Sequence, residues 1–481
     1  MFLGIDIGTS GVKAVVLDEA GSVAAQGVAA LTVQRPHPLW SEQDPAAWWN
    51  ATEAAVRAID PAIRRSVRGI GLAGQMHGAT LLGADDQPLR PAILWNDGRS
   101  ADECIELERA VPDLRQIAGN IAMPGFTAPK LAWVRRHEPE VFAQIATVLL
   151  PKDYVRLRMT GDKASDLSDS AGTLWLDVAK RAWSDELLAA CGLTRAQMPA
   201  LFEGSQITGT LLADVAERWG MPCVPVAAGG GDNAAGAVGV GVVSHGDALL
   251  SLGTSGVIFV ATNDFRPNPA RAVHAFCHAL PNLWHQMSVH LSAASCIDWV
   301  ARITGVAGAA ELFARAEAAG PASGPELFLP YLSGERTPHN DPAVRGAFLR
   351  LDHDSDAGRL SQAVLEGVAF ALADGLAVLR EAGTVVERLS VIGGGARSRY
   401  WGQVLAAAVE VELVYLQGGE VGPALGAARL AQLGVDGGDP ATVCAAPPVS
   451  HSIMPDPALV AALAEKKAAF RDAYPRITSK S

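Results

Sequence analysis

Two short loops built from glycine and hydroxyl-bearing residues are the features of this sequence that best suit chemistry. Residues 8–11 and residues 253–256 both have the sequence Gly-Thr-Ser-Gly, and each loop lies between two apolar runs. Glycine lets the backbone approach an anion closely, and the N–H and hydroxyl groups of such a loop donate to phosphate oxygens. Two loops of this kind facing each other would clamp a polyphosphate. The residues predicted to bind phosphate in them are Thr9, Ser10, Gly253 and Thr254.

Two charged side chains flank the first loop. Asp6 precedes it directly and Lys13 follows two residues beyond it. A carboxylate beside a phosphate is favourable only when a cation bridges them, so Asp6 is predicted to orient Mg²⁺ and Lys13 to contact phosphate. For a single loop, a tight hairpin with a surface lysine explains the same residues equally well. The second copy of the loop favours the phosphate interpretation.

A candidate general base follows a run of three glycines. The apolar segment Cys223–Ala228 leads into Gly229–Gly231 and then into Asp232, which begins a predicted helix. The N-terminus of a helix favours the ionised form of a carboxylate, and a base at the end of a strand is exposed to a cleft. An ordinary helix cap is the alternative. Capping alone does not require three glycines, so the pattern favours a catalytic role.

Other polar clusters follow apolar strands. Gln75–Gly78 and Trp95–Arg99 bring closely spaced polar groups together, as a sugar site requires. Gly393–Ser398 is a further glycine-rich turn, which would let a flat base or a ribose lie against the backbone. The phosphate-binding loop Gly-x-x-x-x-Gly-Lys-Ser/Thr is absent from the sequence.

The elements that must position these residues are arranged as two halves. Residues 6–12 and 251–257 share Gly-Thr-Ser-Gly-Val within similar flanking strand patterns, at an offset of 245 residues, the difference between 251 and 6. Chance is the alternative in a sequence with 49 glycines. Alternating β-branched runs and amphipathic helices predict an α/β fold. We expect domains at 1–243 and 244–481, meeting through a hinge.

Composition excludes several classes of protein. The chain has 481 residues, 49% apolar and 19% charged, with a net charge of −12, which predicts a globular protein and gives no footprint for nucleic acid. The sequence shows no secretory signal, and no segment is expected to cross a membrane. No two of the six cysteines are spaced as Cys-x-x-Cys. They are predicted to be reduced, buried thiols of a cytoplasmic protein.

Together these motifs resemble the FGGY carbohydrate kinases. The resemblance spans nearly the whole chain. The motifs that carry it are Asp6–Lys13, Trp40–Pro45, Gln75–Gly78, Leu94–Gly98, Met123–Lys130, Gly229–Gly236, Pro330–His339 and Gly393–Ser398.

The resemblance implies a fold, an activity and a set of site residues. The fold is a duplicated actin-like ATPase, related to ribonuclease H, with two α/β domains around a central cleft. The first domain would hold the sugar and the first phosphate loop, and the second the other phosphate loop and the adenosine. By resemblance, Asp232 is the base, Asp6 serves the metal, Met76, His77 and Asn233 contact the sugar, and Gly394, Gly395 and Ala396 lie by the adenosine.

The expected activity is transfer of phosphate from ATP, with Mg²⁺, to the 5-hydroxyl of D-xylulose, in xylose catabolism feeding the pentose phosphate pathway. The motifs Gln75–Gly78 and Pro330–His339 favour this sugar over glycerol, gluconate or ribulose. Another ketose or polyol is the first alternative. A non-catalytic sensor is the second, and its mark would be the loss of Asp6 or Asp232, both of which are present. A homodimer is the family expectation.

Overall fold

The computed structural model describes residues 1–417 and 422–478, except for the side chain of Ala396. Its first half is built on a seven-stranded mixed sheet. Three consecutive antiparallel strands begin it, and the strand Ile70–Gly74 then pairs parallel to the first of them. The strands of this sheet are Phe2–Ile7, Gly11–Leu17, Val23–Ala30, Ile70–Gly74, Ile207–Thr210, Pro225–Ala227 and Gly230–Gly231.

The second half repeats this plan. Ala248–Leu252 pairs antiparallel with Gly256–Thr262 and parallel with Arg388–Ile392, which in turn pairs parallel with Glu412–Leu416. The strands of this sheet are Ala248–Leu252, Gly256–Thr262, His274–Cys277, Trp284–His290, Arg388–Ile392, Glu412–Leu416 and Val449–Ile453.

The two sheets correspond strand by strand from the first hairpin to the antiparallel strand that closes one edge. In both, a Gly-Thr-Ser-Gly loop connects the first strand to the second. The internal duplication and the α/β class predicted from the sequence are confirmed. The corresponding strands occupy the same positions in the two sheets, although the edge strand Ile207–Thr210 precedes its neighbour in the chain whereas Val449–Ile453 follows its neighbour. A chance repeat of five residues does not predict this shared strand order.

Helices and short strand pairs cover both sheets. Among the described residues, the α-helices are Pro45–Arg57, Pro61–Arg64, Ala101–Ala110, Leu114–Ala118, Thr127–His137, Pro139–Phe142, Pro151–Thr160, Leu167–Ala171, Asp185–Ala190, Ala213–Trp219, Asp232–Gly239, Ser295–Thr304, Ala309–Ala319, Ala357–Glu381, Arg399–Val409, Pro423–Asp436, Pro440–Val443 and Pro457–Thr478, with 3₁₀ turns at Arg195–Gln197, Pro269–Arg271 and Gly394–Arg397. The short pairs are Glu42–Gln43 with Ala92–Ile93, Thr80–Leu82 with Thr147–Leu149, Ala164–Asp166 with Ala200–Phe202, Leu176–Asp177 with Ala182–Trp183, and Leu327–Leu329 with Ala347–Leu349.

Within residues 1–417 and 422–478, one helix is long and apolar enough to cross a membrane by length and composition. It is Ala357–Glu381, and 89% of its most apolar window is buried inside the protein. Asp356 caps it by accepting a hydrogen bond from the Arg359 N–H. This helix is apolar around most of its circumference because it lies in the core of the second half, between other layers.

The two halves share packing surfaces. Helix Pro423–Asp436 follows the second sheet in sequence, yet it packs against the strands Phe2–Ile7 and Ile70–Gly74 of the first. A separate apolar cluster joins residues between 79 and 193 to residues of the second sheet such as Phe259 and Phe276. The two halves are therefore in contact at more places than the expected boundary at residue 243.

The cysteine prediction was wrong in one respect. All six are free, and five are buried, but Cys223 is exposed. Cys223 is the first residue of the apolar run and lies just before the strand Pro225–Ala227, where the chain enters the sheet from the surface. An apolar run thus indicated burial one residue too early.

Candidate active site

The candidate base lies at the end of an interior strand. The short strand Gly230–Gly231 pairs parallel with Ile70–Gly74, and helix Asp232–Gly239 begins at the next residue. A Cβ at Gly229, where φ is +81°, would lie 1.8 Å from the Leu72 carbonyl oxygen. The glycines therefore let the chain pass against the neighbouring strand, as the sequence predicted, and deliver Asp232 to the first turn of a helix.

The environment of Asp232 suits a base. Its Oδ1 accepts hydrogen bonds from the Asn233 backbone N–H at 2.7 Å and from the Asn233 side-chain amide at 2.9 Å. Burial raises the pKa of Asp232 to about 6, and the bonds from Asn233 oppose that rise. A carboxylate with this pKa is largely ionised at neutral pH and is more basic than an ordinary aspartate.

Asp6 and Lys13 lie beside the base. Asp6 stands directly opposite Lys13 in the register of the first hairpin, so the two side chains share one face of the sheet. Burial and, to a smaller extent, the charge of Asp232 raise the pKa of Asp6 to about 7, against the opposing effect of the Lys13 ammonium. The Oδ1 atom of Asp6 is buried without a hydrogen-bond partner in the described chain.

Met76 and His77 follow the strand that pairs with the base. Met76 is buried, and a Cβ at Gly231 would lie 2.9 Å from its Cγ. His77 has a left-handed backbone (φ 69°), and its carbonyl accepts a bond from the buried Lys130 ammonium at 2.8 Å. Its Nδ1 lies 2.6 Å from the Gly172 carbonyl.

These contacts fix the chemistry of the His77 ring. Burial first, and then the charge of Lys130, lowers its pKa to about 3, so the ring is neutral. Because the partner of Nδ1 is a carbonyl, Nδ1 carries the proton and donates it. Nε2 is therefore an acceptor, ready for a hydroxyl donor.

Thr9 is held within a hydrogen-bond network. Its hydroxyl donates to Gln75 Oε1 at 3.0 Å and accepts from the Trp95 indole N–H at 3.0 Å. Its carbonyl accepts from the Gln43 amide at 2.7 Å. Ser10 is exposed at the tip of the loop. The structure thus ties the first loop to the polar motifs Gln75–Gly78 and Trp95–Arg99.

The second loop, Gly253–Gly256, contributes to the lining of a cavity of about 720 Å³. Gly253 and Thr254 form one wall, and Gly394 and Gly395 form another. Trp299 and Phe313 are among its other lining residues, so the cavity has flat apolar surfaces as well as backbone. The turn that contains Ala396 is the 3₁₀ turn Gly394–Arg397.

The predicted residues therefore fall into two groups. Asp6, Lys13 and Asp232 interact, and Asp232 and Asn233 line a cavity of about 210 Å³ that also includes Ser251, on the second sheet. The larger cavity contains the second loop but does not include Thr9. The two loops lie on opposite sheets, and Ser251, just before the second loop, brings that sheet to the base.

Comparison with known proteins decides the family. Residues 1–239 match the model for the FGGY family of carbohydrate kinases, N-terminal domain, and residues 248–434 match the corresponding C-terminal domain. The chain belongs to the FGGY family. FGGY kinases use ATP as phosphate donor.

Relatives within the FGGY family are similar over their whole length. The chain is 57% identical to the xylulose kinase of Escherichia coli (strain K12), covering 99% of each protein, and 56% identical to the xylulose kinase of Klebsiella pneumoniae, covering 100% of this chain and 99% of that one. A crystal structure described as a xyloylose kinase from Brucella ovis superposes with a TM-score of 0.96 at 52% identity, covering 99% of each chain. The actin-like fold expected for an FGGY kinase is confirmed.

The segment Pro330–His339 connects both parts of this FGGY site. Leu332 and Ser333 line the larger cavity, whereas Arg336 Nη1 lies 3.2 Å from His274 Nε2, towards His77. Glu335 holds the segment in place, since its Oε1 accepts from the backbone N–H groups of Leu291 and Arg336.

Sequence reasoning missed several functional residues. Gln43 and Trp95 belong to motifs of the FGGY resemblance, but no sequence pattern connects them to Thr9. Nothing in the sequence indicated a role for Gly172, whose carbonyl accepts a hydrogen bond from His77 Nδ1–H. The pattern of polar and apolar residues predicts which side chains are exposed. It does not predict hydrogen bonds between segments that are distant in the sequence.

Proposed function

We propose that the protein transfers the γ-phosphoryl group of ATP to the 5-hydroxyl of D-xylulose, giving D-xylulose 5-phosphate and ADP. The observation that carries the proposal is 57% identity to a xylulose kinase over 99% of both chains. The candidate base Asp232 supports it, because Asp232 lines a cavity that also includes Ser251 of the second sheet. Such a protein acts in the cytoplasm on xylulose formed in xylose catabolism.

In the proposed reaction, Asp232 accepts the proton of the sugar hydroxyl. The oxygen then forms a bond to the γ-phosphorus as the bond to the β–γ bridging oxygen breaks, and ADP leaves with that electron pair. Because Oδ1 of Asp232 is occupied by Asn233, Oδ2 is the atom available to the hydroxyl. In this scheme Asn233 orients the base and contributes to the sugar site.

The sugar is proposed to lie against Met76 and His77. The Nε2 acceptor of His77 matches a hydroxyl donor, and its fixed tautomer selects among hydroxyl orientations. Residues 1–243 would hold the sugar and residues 244–481 the adenosine. The adenosine would lie in the cavity lined by Gly394 and Gly395, which belong to the same 3₁₀ turn as Ala396.

The residues fit a magnesium ion at Asp6. The fit rests on the unpartnered Asp6 Oδ1 and on the mutual repulsion of Asp6 and Asp232. No group of three or more His, Cys, Asp or Glu side chains suited to a metal occurs in residues 1–417 and 422–478. Magnesium that bridges phosphates needs only one or two protein carboxylates, and when bound it supplies counter-charge to the phosphate oxygens. Lys13, Ser10 and Thr254 would contact those oxygens.

The test is a coupled assay of ADP release over xylulose, ribulose, rhamnulose, glycerol and gluconate. We expect the highest kcat/KM with xylulose. A higher kcat/KM with any other member identifies that ketose or polyol as the substrate instead. ADP release that none of these sugars accelerates would contradict the kinase assignment.

A further inference from the structure

A cluster of buried charges lies behind the candidate base. It consists of Lys152, Asp153, Arg156, Asp166 and Asp169, whose side chains have no exposed surface. The Lys152 ammonium lies 2.6 Å from Asp153, 2.7 Å from Asp166 and 3.3 Å from Asp169. Burying charges is costly, and a well-packed apolar cluster is often at least as stable. Stability alone therefore does not account for it.

One arm of the cluster holds the strand that leads to the base. The Arg156 guanidinium donates to the Ala227 carbonyl at 2.9 Å and to the Ala228 carbonyl. These carbonyls end the strand Pro225–Ala227, directly before the three glycines. Because glycine constrains the backbone weakly, this anchor acts only before the run. The far end depends on the pairing of Gly230–Gly231 with Ile70–Gly74 and on contacts of its own.

A second arm holds the far end of the glycine run. The Ser168 hydroxyl donates to Asp166 Oδ2, which also accepts from the Ser168 backbone N–H at 2.7 Å. With its proton used in this way, Ser168 Oγ accepts a hydrogen bond from the Gly231 N–H at 3.1 Å. The Gly231 N–H belongs to the peptide between Gly230 and Gly231, so this bond fixes the backbone one residue before Asp232.

The same short helix also reaches the sugar side. Helix Leu167–Ala171 is capped by Asp166 at its start and ends before Gly172. The Gly172 carbonyl accepts a hydrogen bond from His77 Nδ1–H. A Cβ at Gly172 would lie 2.5 Å from His77 Cε1 and 2.8 Å from Met76 Cε. The helix therefore contacts the backbone before the base at its start and the His77 ring at its end.

We infer that Ser168 and Asp166 are positioning residues for phosphoryl transfer. They connect the Lys152 cluster to the peptide before Asp232, and through the helix they set the distance between the base and the His77 ring. The inference rests on the proposed role of Asp232 as base. Transfer is sensitive to sub-ångström displacement of a reacting group, so losing one such anchor lowers the rate without removing a group that touches the substrate.

The test compares Ser168 with Ser165, two serines whose hydroxyls each donate to an aspartate of the buried cluster. Ser168→Ala removes the acceptor for the Gly231 N–H. Ser165→Ala is the matched control, because Ser165 donates to Asp153 Oδ2 at 2.6 Å and does not contact the strand of the base. We expect Ser168→Ala to lower kcat about tenfold or more with the KM for ATP unchanged, whereas Ser165→Ala keeps kcat within about twofold. Ser168→Thr, which retains the hydroxyl, is expected to restore most of the activity.

Each outcome decides the inference. A wild-type kcat in Ser168→Ala, or an equal loss in Ser165→Ala, would overturn it. Should Ser168→Ala not fold, Ser168→Cys serves instead, because a thiol is a weaker acceptor; loss of kcat supports the inference and a wild-type kcat overturns it. Asp232→Asn is measured in parallel. If that variant retains activity, the proposed base is wrong, a failure separate from that of the positioning residues.

Discussion

Replacing Asp6 by asparagine is expected to stabilise the ligand-free protein while abolishing phosphoryl transfer. Burial and the neighbouring Asp232 charge raise the pKa of Asp6 from 3.8 to about 7. A shift of about three pH units corresponds to roughly 4 kcal/mol at most. Because the residue is half-buried and solvent screens part of the repulsion, we expect a gain in unfolding free energy of about 2 kcal/mol near pH 8.

The pH dependence of that gain has a definite sign. Above pH 7 the folded wild-type protein holds Asp6 ionised and bears the whole penalty, which the neutral asparagine avoids. As the pH falls from 7 towards 3.8, the folded protein takes up a proton that the unfolded chain does not yet hold, and the penalty shrinks. The difference between variant and wild type is therefore expected to decrease over this window.

The measurement is urea unfolding followed by tryptophan fluorescence at several pH values. Asp354→Asn is the matched control, because Asp354 is exposed and the substitution removes the same charge. Adding Mg²⁺ with ADP is expected to narrow the difference, since a bound cation compensates the Asp6 charge only in the wild type. An Asp6→Asn protein no more stable than wild type at pH 8, or a gap that does not change with pH, would refute the reasoning.

Further predictions concern the base, the sugar contact and the cavity. Asp232→Ala is expected to lower kcat by about 10²–10⁴ with little change in ADP affinity, measured by steady-state kinetics and calorimetry. In the wild type, kcat/KM for xylulose is expected to fall as the pH drops below about 6, because a protonated Asp232 accepts no proton. A kcat/KM that stays constant below pH 6 would count against Asp232 as the base. Gly172→Ala, whose Cβ collides with His77, is expected to raise the KM for xylulose about tenfold and leave the KM for ATP unchanged. A Cβ at Gly395 would meet Leu252 at 2.7 Å while one at Gly394 meets nothing, so Gly395→Ala is expected to weaken ADP binding more than Gly394→Ala.

The sequence predicted the features that depend on local pattern. The apolar run, three glycines and an aspartate predicted the end of a strand and the start of a helix, and Asp232 lies there. Asp followed by Pro is a local signal for a helix start, and a helix runs from Pro45 to Arg57, with Asp44 accepting from the Ala46 N–H. Both features are set by a residue's immediate neighbours in the chain, which are visible in the sequence.

Contacts between distant segments were not predictable in the same way. Ser168 bonds to Gly231, 63 positions away, and Gln75 accepts from Thr9, 66 positions away. Neither Ser168 nor Gln75 belongs to a periodic pattern that indicates its partner. The roles proposed for the predicted site residues stay predictions, because position and pKa describe what a group is able to do and kinetics must show that it does so.

Glycines on the first sheet indicate how the two halves are joined. A Cβ at Gly4 would lie 1.8 Å from the Ala424 carbonyl oxygen, and one at Gly71 would lie 1.9 Å from that of Ala427. Helix Pro423–Asp436 therefore lies backbone to backbone on the strands that carry Asp6 and precede Met76. A helix seated this closely has little freedom to slide, because interiors packed at this density resist small displacements. Any relative movement of the two halves must then occur between this helix and the rest of the second half, because the helix stays with the first sheet.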